Sequence, residues 1–378
     1  MGQRRTQIGW RLGCWAVALA LITAVGASVR AGDKKYDIAD LQALQEAFVS
    51  LSQNVRPLVV AIRTYELIKP GDMEGFLRVP VSQGSGFIID PDGYILTNRH
   101  VLEDSAQVSV TLANGEKLFA ELVQADSRSD LAVIKIDATS LPAISWGTLD
   151  DVRVGQWAFA VGNPFGLANG DGRVSVTYGV VSALGREMTN RIPGNPQIQY
   201  YGNLIETTAA INPGNSGGPL FNIHGEVIGV VSAIETSSGV NEGTGFAIPI
   251  NRDTRRIIDT LKRGEKVHYG FLGVNVNEVR TAGPRSFSVS PLNRGARIVS
   301  LDPQDGPAAR AGLQPNDVVI EFNGIPVEDS DHLVRMVGFT PVGREVVLTY
   351  IRKKVKRTAN VILGDREKLM HVAHSPKE

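Results

Sequence analysis

The sequence predicts a mostly β protein, and two observations carry that expectation. Between Val59 and Ile250, short runs rich in β-branched and aromatic residues recur, separated by Gly, Pro, Asn and Asp. Turn signals at such short intervals belong to an all-β barrel or sandwich rather than to alternating strands and helices. The second observation is length, because 378 residues are enough for two domains, each with its own core.

The N-terminal segment stands apart. Residues 1–31 run from basic (Arg4, Arg5, Arg11) through an apolar stretch, Leu12 to Val29, to a small residue, Ala31. This is the layout of a secretory signal peptide cleaved near Ala31, with an uncleaved membrane anchor as the alternative. The only cysteine, Cys14, lies inside this segment, so the mature chain is expected to have neither disulfides nor thiol chemistry. Charge balances at 39 basic and 39 acidic residues, which gives no global field for nucleic acid or a membrane surface.

Residues 32–54 carry Ile38, Leu41, Leu44, Phe48 and Leu51 at helical spacing behind Asp37, and Pro57 closes the pattern. The predicted helix, Asp37 to Gln53, serves either as a connector or as an oligomer contact. Strands are then expected at Val59–Tyr65, Gly86–Ile89, Tyr94–Thr97, Gln107–Leu112, Leu131–Ile136, Gln156–Val161, Ser175–Leu184, Leu204–Thr208, Val227–Ala233 and Thr244–Ile248. A short helix, Arg252 to Arg263, ends this region at Gly264.

Chemistry concentrates at Ile211-Asn-Pro-Gly-Asn-Ser-Gly-Gly-Pro-Leu220. Ser216 sits where glycines permit a tight turn and close approach of a substrate. A serine hydroxyl needs a base, a group to orient that base, and N–H donors for the oxyanion. The spacing Gly214-x-Ser216-x-Gly218 also occurs in the nucleophile elbow of α/β-hydrolases, but a hairpin around Asn222 to Gly225, not a helix, is expected next. His224 falls in that turn and is read as exposed. His100, directly after a strand, is the candidate base. Asp126, Asp130 and Asp137 are all available as the orienting carboxylate, and spacing does not choose among them.

Five blocks then point one way: Thr97-Asn-Arg-His-Val101, Ser129-Asp-Leu-Ala-Val-Ile-Lys135, Val161-Gly-Asn-Pro-Phe-Gly-Leu167, Ala209 to Leu220, and Gly243-Thr-Gly-Phe-Ala-Ile-Pro249. In content and order they resemble the HtrA (Deg) family of trypsin-like serine proteases. The resemblance implies a double six-stranded β-barrel over residues 55–264 and, through Gly295 to Gly364, one PDZ domain over residues 265–365. A polar tail, 366–378, is read after it, and on that length a second PDZ domain is not expected. Carried across, Ser216 is the nucleophile, His100 the general base and acid, and Asp130 the group that orients it. Backbone N–H groups of Gly214 and Ser216 form the oxyanion hole, and Ile211 and Glu235 belong to the substrate pocket.

The segment Gly270-Phe271-Leu272-Gly273-Val274 matches the loop and strand that hold a peptide carboxylate. Three positions depart from the family pattern: Arg99, Thr208 and Glu235. The resemblance further implies an exported, ATP-independent endopeptidase of the periplasm or cell envelope, degrading unfolded proteins as a homotrimer or a multiple of one. Rival readings are a chaperone-like binder and a PDZ-centred scaffold with a mostly inactive protease domain. No cofactor, metal or nucleic acid is expected. His371 and His374 lack the further ligands a metal requires, and the basic run Arg352 to Arg357 reads as a solvated hairpin.

Overall fold

The structure, a computed structural model, describes residues 38–69, 76–102, 105–191, 198–232, 243–279, 294–366 and 368–369. It opens with helix α1, Ile38–Val55. Ile38, Leu41 and Leu44 are exposed on it, and Val55 is buried at its end.

A first barrel follows, built from β1 (Val59–Ile68), β2 (Leu77–Asp90), β3 (Tyr94–Asn98), β4 (Gln107–Thr111), β5 (Lys117–Asp126) and β6 (Leu131–Ile136), with the one-turn helix α2 (Arg99–Leu102) after β3. The strands close in the order β1-β2-β3-β6-β5-β4, since β1 pairs with both β2 and β4. Closure removes the free edges of the sheet. β-Branched and aliphatic side chains, among them Val60, Ile62, Ile88, Ile95, Val110 and Ile134, fill the interior. The longest strands overrun their sequence expectations, and β5 is an addition to them.

The second barrel contains β8 (Trp157–Gly162), β9 (Ser175–Arg191), β10 (Ile198–Thr207), β11 (Pro219–Phe221), β12 (Glu226–Ser232) and β13 (Gly245–Pro249), while the short β7 (Ser145–Trp146) lies parallel to β12 outside the ring. Pairing runs β11-β8-β9-β10-β13-β12 and returns to β11, so six strands close again. Ala158, Val181, Ile205, Leu220, Val231 and Ala247 form its core. Helix α3, Arg252–Lys262, is capped by Asn251 Oδ1, which accepts from Thr254 N at 2.9 Å, and Gly264 follows its end with φ 73°.

The remaining elements are β14 (Gly270–Phe271), β15 (Val274–Glu278), β16 (Ala296–Leu301), α4 (Pro307–Arg310), β17 (Val318–Phe322), β18 (Ile325–Pro326), α5 (Ser330–Phe339), β19 (Glu345–Arg352), β20 (Val355–Ile362) and β21 (Gly364–Asp365). The main sheet has the order β15-β16-β17-β19-β20, which leaves β15 at an edge. Its core gathers Leu272, Ile298, Val319, Phe322, Leu333, Val337 and Leu348. Lys353 and Lys354 turn the β19–β20 hairpin with φ values of 50° and 67°.

The basic run forms the expected hairpin, exposed from Lys353 to Arg357, and Arg352 alone departs from a solvated reading. Its Nε and Nη2 each donate to a carboxylate oxygen of Asp317 at 2.7 Å, and Asp317 is only 1% exposed. The run is therefore anchored at one end by a fork-shaped ion pair, a geometry that no charge count along the chain could give.

Candidate active site

β3 and β6 run side by side with Asn98 opposite Leu131. That register is what brings together two residues distant in sequence, His100 in the one-turn helix α2 after β3 and Asp130 immediately before β6. Asp130 Oδ2 lies 2.7 Å from His100 Nδ1, and Oδ1 accepts from the His100 amide at 3.1 Å. The main chain is tied as well: Asp130 O accepts from Arg99 N at 2.9 Å and from Asn98 Nδ2 at 3.0 Å. Asp130 is fully buried with φ 56°, an unusual conformation for a residue with a side chain. Such conformations persist where the surroundings over-determine them, as four hydrogen bonds do here. The imidazole remains 35% exposed, so it has a buried partner on one side and access on the other. A carboxylate on Nδ1 leaves Nε2 as the basic nitrogen.

Of the other two carboxylates, Asp137 is exposed just after β6 and Asp126 does different work. Asp126 Oδ2 accepts from the amide and hydroxyl of Ser129 at 2.7 and 2.6 Å and from the Tyr269 hydroxyl, which fixes the turn in front of Asp130. Burial first, and then the Asp126 charge, holds the Tyr269 phenol above its usual range. Arg128 lies over the Tyr269 ring at 4.7 Å and donates to Val334 O at 3.1 Å. The turn that leads into Asp130 is thus joined to α5. His224 is exposed in the turn between β11 and β12.

Ser216 comes from the second barrel, in the turn between β10 and β11, and is 6% exposed. Gly217 brings this turn against the end of β3. A methyl built on it would meet Thr97 Oγ1 at 2.2 Å and Ser85 O at 2.3 Å. The serine turn is thereby pressed against the strand that delivers His100. Gly214 has φ 100°, and a Cβ there would strike Asn163 O at 2.3 Å, so only glycine fits. Its amide donates to no acceptor among the described residues, which leaves it available to a developing oxyanion.

Ile211 is 6% exposed and packs on Gly245 of β13, where a Cβ would lie 2.2 Å from Ile211 Cγ1. Glu235 lies outside the described residues, as do His371 and His374. Thr208 makes a reciprocal pair with Val180, its amide and its hydroxyl each bonded at 3.0 Å. Arg99 holds the Asp130 carbonyl through its amide, a role independent of side chain. Sequence reasoning missed Ser85, whose contacts with the serine turn span the two barrels. Its only local signal is its place in Gly84-Ser85-Gly86.

In the PDZ segment, β14 pairs with β21, and Gly270 N donates to Thr340 O at 3.1 Å. The carbonyls of Leu272 and Gly273 accept from Ala308 N at 2.8 Å and Asp302 N at 3.0 Å. Leu272 is a core side chain at 2% exposure, whereas Phe271 and Val274 are partly exposed.

Two closed barrels, one carrying a His–Asp pair whose carboxylate is buried and the other a glycine-bounded serine turn packed against the end of β3, define a trypsin-like protein. The trypsin-like peptidase domain family matches residues 84–230, and the PDZ domain family matches residues 270–363. A Halomonas elongata protein named "Probable periplasmic serine endoprotease DegP-like" is 44% identical over 296 residues, 78% of this chain and 59% of that protein. A Chlamydia trachomatis protein of the same name is 35% identical over 361 residues, covering 86% of this chain and 70% of its own length. The solved structure "HtrA-type protease AlgW with decapeptide" superposes with a TM-score of 0.66 at 32% identity, across 84% of this chain and 98% of that one. The chain belongs to the HtrA-type, DegP-like family of serine endoproteases. It spans 59% of the length of the Halomonas relative.

Proposed function

We propose that this chain is an exported, ATP-independent serine endopeptidase that cleaves unfolded or misfolded proteins in the cell envelope. The observation that carries the reading is the His100–Asp130 pair at 2.7 Å beside a glycine-bounded serine turn. Ser216 Oγ attacks the scissile carbonyl carbon, and His100 Nε2 takes the hydroxyl proton. Asp130 holds the ring tautomer and stabilises the imidazolium. The oxyanion accepts from the amides of Gly214 and Ser216, each such donor being worth about 10²- to 10³-fold in turnover. Collapse expels the amine, which takes its proton from His100, and water releases the acyl group by the same steps.

Ile211 and Glu235 contribute to the substrate pocket, and the PDZ domain receives peptide C-termini along β15. Residues 1–31 direct export to the periplasm, a location that the names of the relatives support. Among the described residues no helix is long and apolar enough to cross a membrane. Assembly is as a homotrimer or a multiple of one, with the exposed apolar residues Ile38, Leu41 and Leu44 contributing to the contact.

Incubation of unfolded casein with the purified chain and with Ser216→Ala tests this reading. Fragments from the first and none from the second support the endopeptidase. Intact casein with both, together with suppressed aggregation, would identify a chaperone-like binder instead.

A further inference from the structure

Ser85 lies on β2 of the first barrel, is fully buried, and uses all three of its polar atoms across the boundary between the barrels or at its edge. Its amide donates to Ser216 O at 2.8 Å. Its hydroxyl donates to Gly214 O at 2.7 Å and accepts from Asn163 N at 2.8 Å. Its carbonyl accepts from Thr97 Oγ1 at 2.7 Å, which fixes Ser85 to the strand that carries His100.

These contacts have a definite geometry relative to the serine turn. The peptide between Asn215 and Ser216 carries the Ser216 N–H. Its two neighbouring peptides present the Gly214 and Ser216 carbonyls, and Ser85 grips both. Gly214 must be glycine because a side chain there would collide with Asn163 O at 2.3 Å. Glycine, however, populates either sign of φ about equally, so the residue that the turn requires is also the one least able to hold it. Rotation about Gly214 would swing the following carbonyl away and turn the Ser216 N–H from its aim.

We propose that Ser85 is the positioning residue that locks the oxyanion-binding turn. It never touches substrate. Its hydroxyl selects one conformation of Gly214, and its amide fixes the peptide after Ser216, so the intervening N–H is set from both sides. Without the hydroxyl, the Gly214 carbonyl and the Asn163 amide lose a partner in a buried place, and the turn relaxes toward satisfying them elsewhere. Nucleophile, base and orienting carboxylate are left in position. The effect falls on the transition state, where charge develops on the substrate oxygen, and not on ground-state binding. This inference rests on the reading of Ser216 as nucleophile.

The test uses the full chain, wild type against Ser85→Ala and the near-isosteric Ser85→Cys. Active sites are counted by fluorophosphonate labelling carried to completion, and kcat and KM are measured on a peptide anilide per labelled site. The Ki of a peptide aldehyde, whose adduct places an oxyanion in the hole, is measured alongside. The expected result is a fall in kcat of about 10- to 100-fold with KM within about twofold, and a rise in the aldehyde Ki by a similar factor. Wild-type kcat per labelled site, or an unchanged aldehyde Ki, overturns the proposal and leaves Ser85 a purely structural residue. If Ser85→Ala does not fold, Ser85→Cys decides by the same criteria. Failure of the wild-type enzyme to label at all would instead sink the assignment of Ser216.

Discussion

Asp130 gives both of its carboxylate oxygens to one residue, His100, binding the ring at 2.7 Å and the amide of the same residue at 3.1 Å. Two contacts define both the position and the tautomer of the imidazole. An amide in place of the carboxylate would offer a donor to Nδ1 and move the ring proton to Nε2, where a base is needed. Asp130→Asn should therefore keep its fold and lose about 10⁴-fold in kcat. Circular dichroism and steady-state kinetics on one preparation check this, and activity within tenfold of wild type would contradict it. Ser216→Ala and His100→Ala should each cost nearly as much as removing the whole triad.

The strand pattern, the serine turn and the short blocks that carry the family resemblance were legible because each is a local signal. β5 was not. Lys117-Leu-Phe-Ala-Glu-Leu-Val-Gln-Ala-Asp126 contains Leu, Ala, Glu and Gln, good helix formers, and only pairing with β4 and β6 makes it a strand. The choice of Asp130 over Asp126 and Asp137 failed on spacing for the same reason. What puts Asp130 against His100 is the β3–β6 register, a relation between strands that are not adjacent in sequence. Ser85 was invisible because its four contacts reach residues 12, 78, 129 and 131 positions away, so nothing near it in the chain marks it out.

Lys262, at the end of α3, is hydrogen-bonded to Asp90 at the end of β2, and this bond, helped by the Asp92 amide, holds the Asp90 carboxyl below its ordinary range. A carboxyl depressed on folding adds stability above its unfolded pKa, and that stability is lost as pH falls through the folded value. Both side chains are partly solvated, so the contribution is less than about 1 kcal/mol. Thermal melts of Asp90→Asn should be slightly lower than wild type at pH 7 and indistinguishable near pH 2. A difference that persists at the acidic end would mean that packing, not charge, is responsible.

Arg352 and Asp317 should behave differently because Asp317 is buried. Arg352→Ala would remove two hydrogen bonds of 2.7 Å and, among the described residues, the only ion-pair partner of a carboxylate that is 1% exposed, leaving it the Gln314 amide at 2.8 Å. Breaking one side of a buried pair costs about 3 kcal/mol or more, whereas replacing both members with apolar residues is often neutral. Calorimetry of the full chain should show a marked loss for Arg352→Ala and a partial recovery for the double variant Arg352→Met, Asp317→Leu. An unchanged PDZ transition in Arg352→Ala would exclude the pair as a stabilising element.

The final expectation concerns the edge of the PDZ sheet. Among the described residues β15 is bonded to β16 alone, and its position at the end of the sheet leaves the other side for an added strand. A peptide pairing there gains main-chain hydrogen bonds that do not read sequence, so selectivity must come from side-chain pockets and from the terminal carboxylate. Leu272, Leu333 and Val337 are packed in the core, which leaves Phe271 and Val274 as the partly exposed apolar side chains at the mouth. The turn between β14 and β15 contains Gly273, with φ 77°, and brings the backbone next to the strand where that carboxylate would lie. Full-chain Ser216→Ala should bind a peptide ending in Val or Phe more tightly than the same peptide amidated at its C-terminus, by about tenfold or more for loss of a charged hydrogen-bonding group. Calorimetric titration of the two peptides gives the comparison directly. Equal affinity would show that the carboxylate is not read, and that the edge accepts internal segments of unfolded chains as readily as ends.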